Sequence, residues 1–248
     1  MEKIYTTLVE GTKAYFKRAG FKRGVLGLSG GLDSAVTLQL AVDALGGENV
    51  CALVMPESGV TSSENTKHAV GLAEFLHVEN FKVSINNYLV DYLTVPWKQQ
   101  DIALANTKAR VRANLLYNYA NSNRALVIGT SNKSELMLGY GTKHGDLAAD
   151  LLPLGNLYKT EVIELAEYLQ LPQEIIQKPP TAELWPGQTD EEELGASYKD
   201  LDMILSKKDE GEEVLIEKGM NPMTVRSVFK RMRDNKHKLE VPFIIPRS

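Results

Sequence analysis

The feature that most constrains the fold of this chain is a glycine-rich turn between an apolar run and a helical pattern. The apolar run is Val25-Leu26-Gly27-Leu28, the turn reads Ser29-Gly30-Gly31-Leu32-Asp33-Ser34, and apolar residues at helical spacing follow as far as Leu45. A short apolar run predicts a buried strand, and the later spacing predicts a helix. Strand, turn and helix in this order predict a ligand-binding turn at the carboxyl edge of a parallel sheet.

Strands and helices continue to alternate along the rest of the chain. We predict further strands at 50–55, at Phe81, Val83 and Ile85, and at 125–128, and further helices over 62–77, 98–120 and 159–169. Strands that are separated by helices indicate βαβ units. The predicted fold class is therefore α/β, a twisted parallel sheet with helices on both faces, similar to the Rossmann fold. Because we find no internal repeat and no long linker, we predict a single domain over residues 1–248.

Composition narrows the class of protein. The chain has 248 residues, of which 43% are hydrophobic and 24% charged, as in an ordinary globular protein. A net charge of −4 argues against a surface built to bind nucleic acid. The only cysteine, Cys51, lies in a predicted core strand, which indicates a buried hydrophobe and a reducing, cytoplasmic setting. No run approaches the roughly 18–20 apolar residues that span a bilayer, and the four histidines lack the spacing of a zinc site.

The turn has the chemistry of a phosphate-binding loop. Glycines let the backbone approach a phosphate closely, and the start of a helix offers free N–H groups and a partial positive charge. Ser29 and Ser34 add hydroxyl donors, whereas Asp33 repels a phosphate unless a magnesium ion lies between them. The alternative is an ordinary strand-to-helix turn in which Ser and Asp only cap the helix.

The string differs from a Walker A loop and from Gly-x-Gly-x-x-Gly. It resembles the SGGxDS signature of the ATP pyrophosphatase (PP-loop) superfamily, whose members adenylate an oxygen and release pyrophosphate. The resemblance implies an adenine nucleotide alpha-hydrolase-like fold. It also implies that ATP contacts the whole turn, that is Gly27, Leu28, Ser29, Gly30, Gly31, Leu32, Asp33 and Ser34.

Later motifs identify a narrower relationship. They are Gly129-Thr130-Ser131-Asn132-Lys133-Ser134-Glu135, Lys143-His144-Gly145-Asp146, Asp150-Leu151-Leu152-Pro153-Leu154 and Lys159-Thr160. Their order resembles the bacterial, ammonia-dependent NAD synthetase family, and the resemblance extends from about residue 20 to residue 240. It implies a ligase that forms a C–N bond: ATP-dependent amidation of deamido-NAD (nicotinic acid adenine dinucleotide) by ammonia, through an acyl-adenylate, to give NAD, AMP and pyrophosphate. This is the last step of NAD biosynthesis.

The resemblance also implies the site residues and partners. Magnesium is expected on Asp33 and Glu135, and catalysis is expected from Lys159 and Asp33. ATP is further expected on Thr130, Lys159 and Thr181, and deamido-NAD on Arg110, Lys143, Asp150, His237 and Lys238. The family implies a homodimer, whereas the net charge and the lack of a long apolar run predict neither a nucleic-acid nor a membrane partner.

Plainer interpretations of these residues stay open at this point. Glu135 and Lys159 are also typical of exposed helical residues, although a lysine at a helix start departs from the usual preference for acids there. Arg110 lies on a helix whose other cations, Lys108 and Arg112, indicate a charged, solvated face. The acidic run 190–193 is predicted to begin a helix without a role in the site.

Two rival functions also stay open. A PP-loop enzyme acting on tRNA requires sulfur-transfer cysteines and a basic extension, and a non-catalytic adenine-nucleotide sensor needs no second magnesium carboxylate. Segments 139–150 and 178–190 have the glycine and proline content of lids that keep water from an acyl-adenylate. Nothing in the sequence resembles a glutaminase, so we expect ammonia to come from outside the chain.

Overall fold

The computed structural model describes residues 1–181, 185 and 187–247. Within these residues the sheet has four parallel strands in the order β3-β2-β1-β4. The strands are β1 (Arg23–Gly27), β2 (Val50–Val54), β3 (Glu79–Lys82) and β4 (Ala125–Val127). A parallel bridge between Ile128 and Leu151 adds a short fifth position beyond β4. The predicted parallel sheet is confirmed.

The described helices cover both faces of the sheet and extend beyond it. They are α1 (Glu2–Ala19), α2 (Leu32–Leu45), α3 (Ser63–Phe75), α4 (Asn86–Leu89), α5 (Asp101–Asn123), α6 (Lys133–Leu138), α7 (Lys159–Tyr168), α8 (Gln173–Ile176), α9 (Asp190–Leu194), α10 (Tyr198–Ser206), α11 (Glu212–Glu217) and α12 (Pro222–Asn235). In this part of the chain, no helix combines the length and the apolar character needed to cross a membrane.

The two faces of the sheet have separate apolar cores because successive strand residues point to opposite sides. Leu26 packs among apolar residues of α1, α2 and α7, such as Phe16 and Leu165. Its neighbour Val25 packs on the other face, against α5 residues such as Val111. Helices therefore lie on both faces, as predicted.

A further apolar cluster joins α6 to the C-terminal helices. It includes Leu138 of α6, Leu201 of α10, Leu215 of α11 and Val225 of α12, all of them buried. This cluster fixes α10 behind the first residues of α6 and α7. The assignment of residues 1–248 to a single domain stays a prediction.

The predicted strand through Phe81, Val83 and Ile85 is wrong in its second half. β3 ends at Lys82, and Ile85 is fully buried next to α4. The neighbouring strand β2 is followed by Pro56, which has no N–H to continue the ladder. The N-terminal helix α1 was not predicted from the periodicity.

Cys51 is confirmed as a buried residue of β2. Its side chain is 1% exposed, and burial raises the pKa of the thiol to about 11. A thiol with this pKa is protonated and unreactive at neutral pH.

Candidate active site

A cavity of about 540 Å³ opens at the carboxyl ends of β1, β2 and β4. This is the edge of the sheet at which the sequence places its glycine turn. Its described lining includes the turn residues Gly27, Leu28, Ser29, Gly31, Leu32, Asp33 and Ser34, together with Thr130, Glu135, Lys159 and Thr181. Most residues predicted to contact ATP or magnesium therefore line one cavity.

The glycine turn is held in a shape that only glycine permits at one position. Gly30 has a φ of +83°, and a Cβ there lies 2.2 Å from the carbonyl oxygen of Asn65. The Ser34 hydroxyl donates to the Gly31 carbonyl at 2.9 Å, and the Gly31 N–H donates to Ser29 Oγ at 3.2 Å. Within the described part of the chain, α2 starts without a side-chain cap, so Asp33 is not a capping residue.

The buried Lys159 and the half-buried Asp33 form an ion pair across 126 residues of sequence. The Lys159 residue is only 2% exposed, which makes the solvated-surface interpretation wrong. Burial lowers the pKa of Lys159, but the carboxylates of Asp33 and Glu135 raise it more, to above its usual value. The ammonium group therefore stays charged at the glycine-turn end of the cavity.

Asn132 links both candidate magnesium ligands. Its Nδ2 donates to Asp33 Oδ1 at 3.1 Å, while its Oδ1 accepts from the Glu135 N–H at 3.0 Å. The Asn132 N–H in turn donates to Glu135 Oε2 at 3.1 Å, which completes a capping box at the start of α6. Asn132 is a site residue for which no role was predicted, although its spacing of three residues from Glu135 is the signal of a capping box.

The two carboxylates fit a divalent cation. Burial, and then the negative charge of Asp33, raise the pKa of Glu135 well above its usual range. A cation between the two carboxylates would offset their mutual repulsion and favour the charged form of Glu135. Carboxylate oxygens are ligands that magnesium prefers. Among the described residues, no three His, Cys, Asp or Glu side chains converge to hold a metal unaided. A magnesium ion on Asp33 and Glu135 therefore needs further oxygens from phosphates or water.

Three of the residues predicted to bind deamido-NAD meet on the surface beside the cavity. Lys143 Nζ donates to the carbonyls of His237 at 2.6 Å and of Glu240 at 3.1 Å. Arg110 Nε donates to the Lys143 carbonyl at 3.3 Å, and both Arg110 and His237 are exposed. Lys238 lines the cavity itself, with its Nζ donating to the Gly139 carbonyl at 2.7 Å.

Asp150 is separated from this group. Its carboxylate accepts from the Val127 N–H at 2.8 Å, and its own N–H donates to the Val127 carbonyl at 2.9 Å. In the structure Asp150 thus extends the sheet beside β4. Its predicted contact with deamido-NAD stays a prediction.

The interpretation of Lys108 and Arg112 as a solvated face is wrong. Lys108 is buried and pairs with Glu57 at 2.8 Å. Arg112 lines the cavity, and its Nε donates to the Met55 carbonyl at 3.1 Å. Their spacing of four residues, which puts both on one face of α5, was the available signal. Both side chains fasten α5 to the segment that follows β2.

The interpretation of the acidic run as a helix start without a role in the site is also wrong in part. α9 begins at Asp190 as predicted, but Asp190 is 4% exposed and lines the cavity. It accepts from the hydroxyls of Tyr140 at 3.0 Å and Tyr198 at 3.2 Å. Glu193 lines the cavity too and accepts from Gln188 Nε2 at 2.8 Å. Tyr140, 50 residues away, and Tyr198, 8 residues away, hold the Asp190 carboxylate at the cavity wall.

The two predicted lids differ in how much of them is described. Segment 139–150 consists of turns that line the cavity, and Lys238 bonds it to the residues after α12. In segment 178–190, residues 182–184 and 186 lie outside the described residues. That these segments act as lids stays a prediction.

The protein-family model described as NAD synthase matches residues 4–242 of this chain. This chain belongs to the NAD synthase family. Among its relatives, the NH3-dependent NAD+ synthetase of Archaeoglobus fulgidus is 46% identical over 97% of this chain and 95% of the relative. The predicted family and the predicted enzyme class, a ligase, are confirmed.

Solved structures of similar proteins agree with the fold. The NMN synthetase of Francisella tularensis has a TM-score of 0.88 and 33% identity, covering 98% of each chain. The NH3-dependent NAD synthetase of Campylobacter jejuni has a TM-score of 0.84 and 34% identity, covering 99% of this chain and 98% of the other. The predicted α/β fold is therefore confirmed.

Proposed function

We propose that this chain amidates deamido-NAD with ammonia, using ATP, and forms NAD, AMP and pyrophosphate in the cavity described above. The observation that carries the proposal is the single network of Asp33, Asn132, Glu135 and Lys159 beside the glycine turn. The membership of the NAD synthase family supports it, as do relatives named NH3-dependent NAD+ synthetases.

ATP binds, in this proposal, with its phosphates at the glycine turn and near Thr130, Lys159 and Thr181. The start of α2 offers N–H groups and the positive end of a helix dipole. The Lys159 ammonium, which is held charged by its carboxylate neighbours, stabilises negative charge on the phosphates. No large movement is needed, because these groups already line one cavity.

Asp33 and Glu135 are the residues that we assign to magnesium. When bound, the ion supplies positive charge that neutralises the phosphates and the departing pyrophosphate. Asn132 orients the site by bonding to the Asp33 carboxylate and by capping the helix that carries Glu135.

The reaction itself needs two displacements. First, an oxygen of the pyridine carboxylate attacks the α-phosphorus, and the bond to the β-phosphate oxygen breaks so that pyrophosphate leaves. Second, the nitrogen of ammonia attacks the acyl carbon, the bond to AMP breaks, and the nitrogen loses one proton. The protein contributes positioning and charge stabilisation, and segments 139–150 and 178–190 keep water from the acyl-adenylate.

We assign the dinucleotide to the surface group of Arg110, Lys143 and His237, with Lys238 at the cavity and with Asp150. Arg110 and His237 are exposed and Lys143 is half-buried, which leaves one side of this site open. We propose that a second copy of the chain completes it in a homodimer, with the reaction taking place in the cytoplasm. Light scattering that shows a monomer at working concentration contradicts the dimer.

A second substrate follows from the likeness to an NMN synthetase. The carboxylate form of NMN, nicotinic acid mononucleotide, has the same reacting group as deamido-NAD but lacks the adenylate half. The surface cations beside the cavity favour the larger anion, because a dinucleotide can reach them from the reaction centre. We therefore expect deamido-NAD to be preferred.

The deciding experiment incubates the protein with ATP, magnesium chloride and ammonium chloride, together with either deamido-NAD or nicotinic acid mononucleotide. We expect NAD and AMP in equal amounts, and a kcat/KM for deamido-NAD about tenfold or more above that for the mononucleotide. If neither NAD nor AMP forms, the proposal is contradicted and the non-catalytic adenine-nucleotide sensor stands instead. A higher kcat/KM for nicotinic acid mononucleotide would make that compound, and not deamido-NAD, the preferred substrate. Glutamine in place of ammonium should give no NAD, and comparable rates contradict an external ammonia supply.

A further inference from the structure

Helix α10 presents a buried carboxylate, Asp202, to the starts of two helices of the reaction centre. Asp202 is 5% exposed. One of its oxygens accepts from the Ser134 hydroxyl of α6, and the other accepts from the Thr160 N–H of α7 at 2.9 Å. Among the described residues that line the cavity are Glu135 and Lys159 but not Asp202. Asp202 therefore lies one layer behind the cavity wall.

Ser134 joins the two helices directly. Its Oγ accepts from the Lys159 N–H at 2.9 Å while its hydroxyl proton points to Asp202. Ser134 is fully buried and precedes Glu135 in α6, and Lys159 is the first residue of α7. The Ser134 hydroxyl and the Asp202 carboxylate thus connect the backbone positions of the candidate magnesium ligand and the candidate phosphate ligand.

This arrangement is well stabilised. The Lys159 and Thr160 N–H groups belong to the first turn of α7, whose donors have no partner within the helix. A carboxylate at the positive end of the α7 dipole is favourable. Removal of the buried carboxylate leaves two donors without their partner, and such orphaned groups are costly. The starts of α6 and α7 are therefore fixed against each other from behind.

We propose that Asp202 is a positioning residue of the reaction centre. Through Ser134 it holds the start of α6 against the start of α7, and so fixes Glu135 relative to Lys159. This inference rests on the proposed function, in which both side chains act on one ATP. A charged nucleotide that binds between Glu135 and Lys159 exerts electrostatic forces on both helices. A fixed distance between the starts of α6 and α7 preserves the geometry that the displacement needs.

The test separates positioning from a general loss of stability. Asp202→Ala removes both bonds, Asp202→Asn keeps the volume and one acceptor, and Ser134→Ala removes the connecting hydroxyl. Two controls lie on the same helix. Asp200→Asn changes an exposed carboxylate that bonds to Ser197, and Leu205→Ala removes buried volume from the apolar cluster behind α10.

We expect the kcat of Asp202→Ala to fall about 10- to 100-fold, since displacements of about 1 Å have effects of this size. Asp202→Asn should show a smaller loss of kcat. In both variants the KM for deamido-NAD should stay within about twofold of the wild type, because removal of a transition-state interaction lowers kcat without raising KM. Asp200→Asn should equal the wild type. Leu205→Ala should lower the melting temperature while keeping kcat within about twofold.

A readout without substrates completes the test. Hydrogen exchange at the Lys159 and Thr160 amides should be faster in Asp202→Ala than in Leu205→Ala. The proposal is overturned if Asp202→Ala keeps its kcat within about twofold of the wild type, or if Leu205→Ala loses as much. If Asp202→Ala does not fold, the kcat of Asp202→Asn is compared with that of the wild type and of Leu205→Ala in the same way. An inactive wild type contradicts the proposed function instead, and the exchange comparison still tests the contact.

Discussion

The cavity and the surface beside it carry two charged regions that are built in opposite ways. The phosphate end consists of Asp33, Asn132, Glu135 and Lys159, and the surface group consists of Arg110, Lys143 and His237. At the phosphate end, a buried ammonium and a buried amide bond to the half-buried carboxylates of Asp33 and Glu135, across up to 126 residues of sequence. In the surface group, the exposed Arg110 and the half-buried Lys143 bond to carbonyl oxygens of the backbone.

This difference indicates which region is preorganised. Buried charges are screened little and hold each other in place, so the phosphate end is formed before substrate arrives. Exposed cations are screened by salt and can exchange carbonyl partners for a ligand at small cost. We therefore expect changes at the phosphate end to lower kcat, and changes in the surface group to raise KM for the dinucleotide.

Lys159→Met should have the largest effect. It removes the buried ammonium and leaves Asp33 without its cationic partner, so we expect kcat to fall about 10³-fold, as when a preorganised donor is lost. AMP formation under saturating substrates measures the loss. Lys199→Ala, which changes an exposed lysine of α10, is the control and should equal the wild type. Near-normal turnover of Lys159→Met would contradict the view that the phosphate end is the region on which kcat depends.

Glu135→Gln should have the next largest effect. Glutamine preserves the capping box, so α6 should keep its start while the cavity loses one negative charge. We expect kcat to fall about 10²-fold and the magnesium concentration for half-maximal rate to rise, because an oxygen ligand of lower charge binds the ion less tightly. A magnesium titration of the rate checks both. Full turnover at unchanged magnesium demand contradicts the assignment of Glu135 to the metal.

Lys143→Ala should have a smaller and different effect. We expect the KM for deamido-NAD to rise about tenfold, with kcat and the KM for ATP within about twofold, as when a binding interaction common to ground and transition state is removed. Steady-state kinetics with each substrate varied in turn measures the split. An equal loss of kcat and kcat/KM places Lys143 with the reacting atoms and erases the distinction between the two regions.

Salt should have the smallest effect. Raising sodium chloride from about 0.05 M to about 0.5 M shortens the screening length to a few ångströms, so the exposed cations lose attraction for the dinucleotide. We expect a KM for deamido-NAD about two- to threefold higher, with kcat little changed, because the buried pairs are screened less. If kcat falls more than KM rises, the phosphate end is more open to solvent than the structure indicates.

Local sequence was sufficient for the parts of the site that depend on neighbouring residues. The glycine turn, the capping spacing of Asn132 and Glu135, and the start of α7 at Lys159 are each set within a few residues. The predictions for Asp190 and Arg112 were wrong, because the surroundings of both side chains depend on partners from other elements. Tyr140 and Tyr198 turn Asp190 inward, and the chain after β2 faces Arg112.

The sequence by itself determined the alternation of strands and helices, the glycine turn and the family, because short-range periodicity and motif order carry this information. Only the tertiary structure decided which charges are buried together. It paired Lys159 with Asp33, placed Asp202 behind both helix starts, and left Arg110 exposed. The physical reason is that burial and partner choice depend on elements far apart in sequence, whereas turns, caps and periodicity are local.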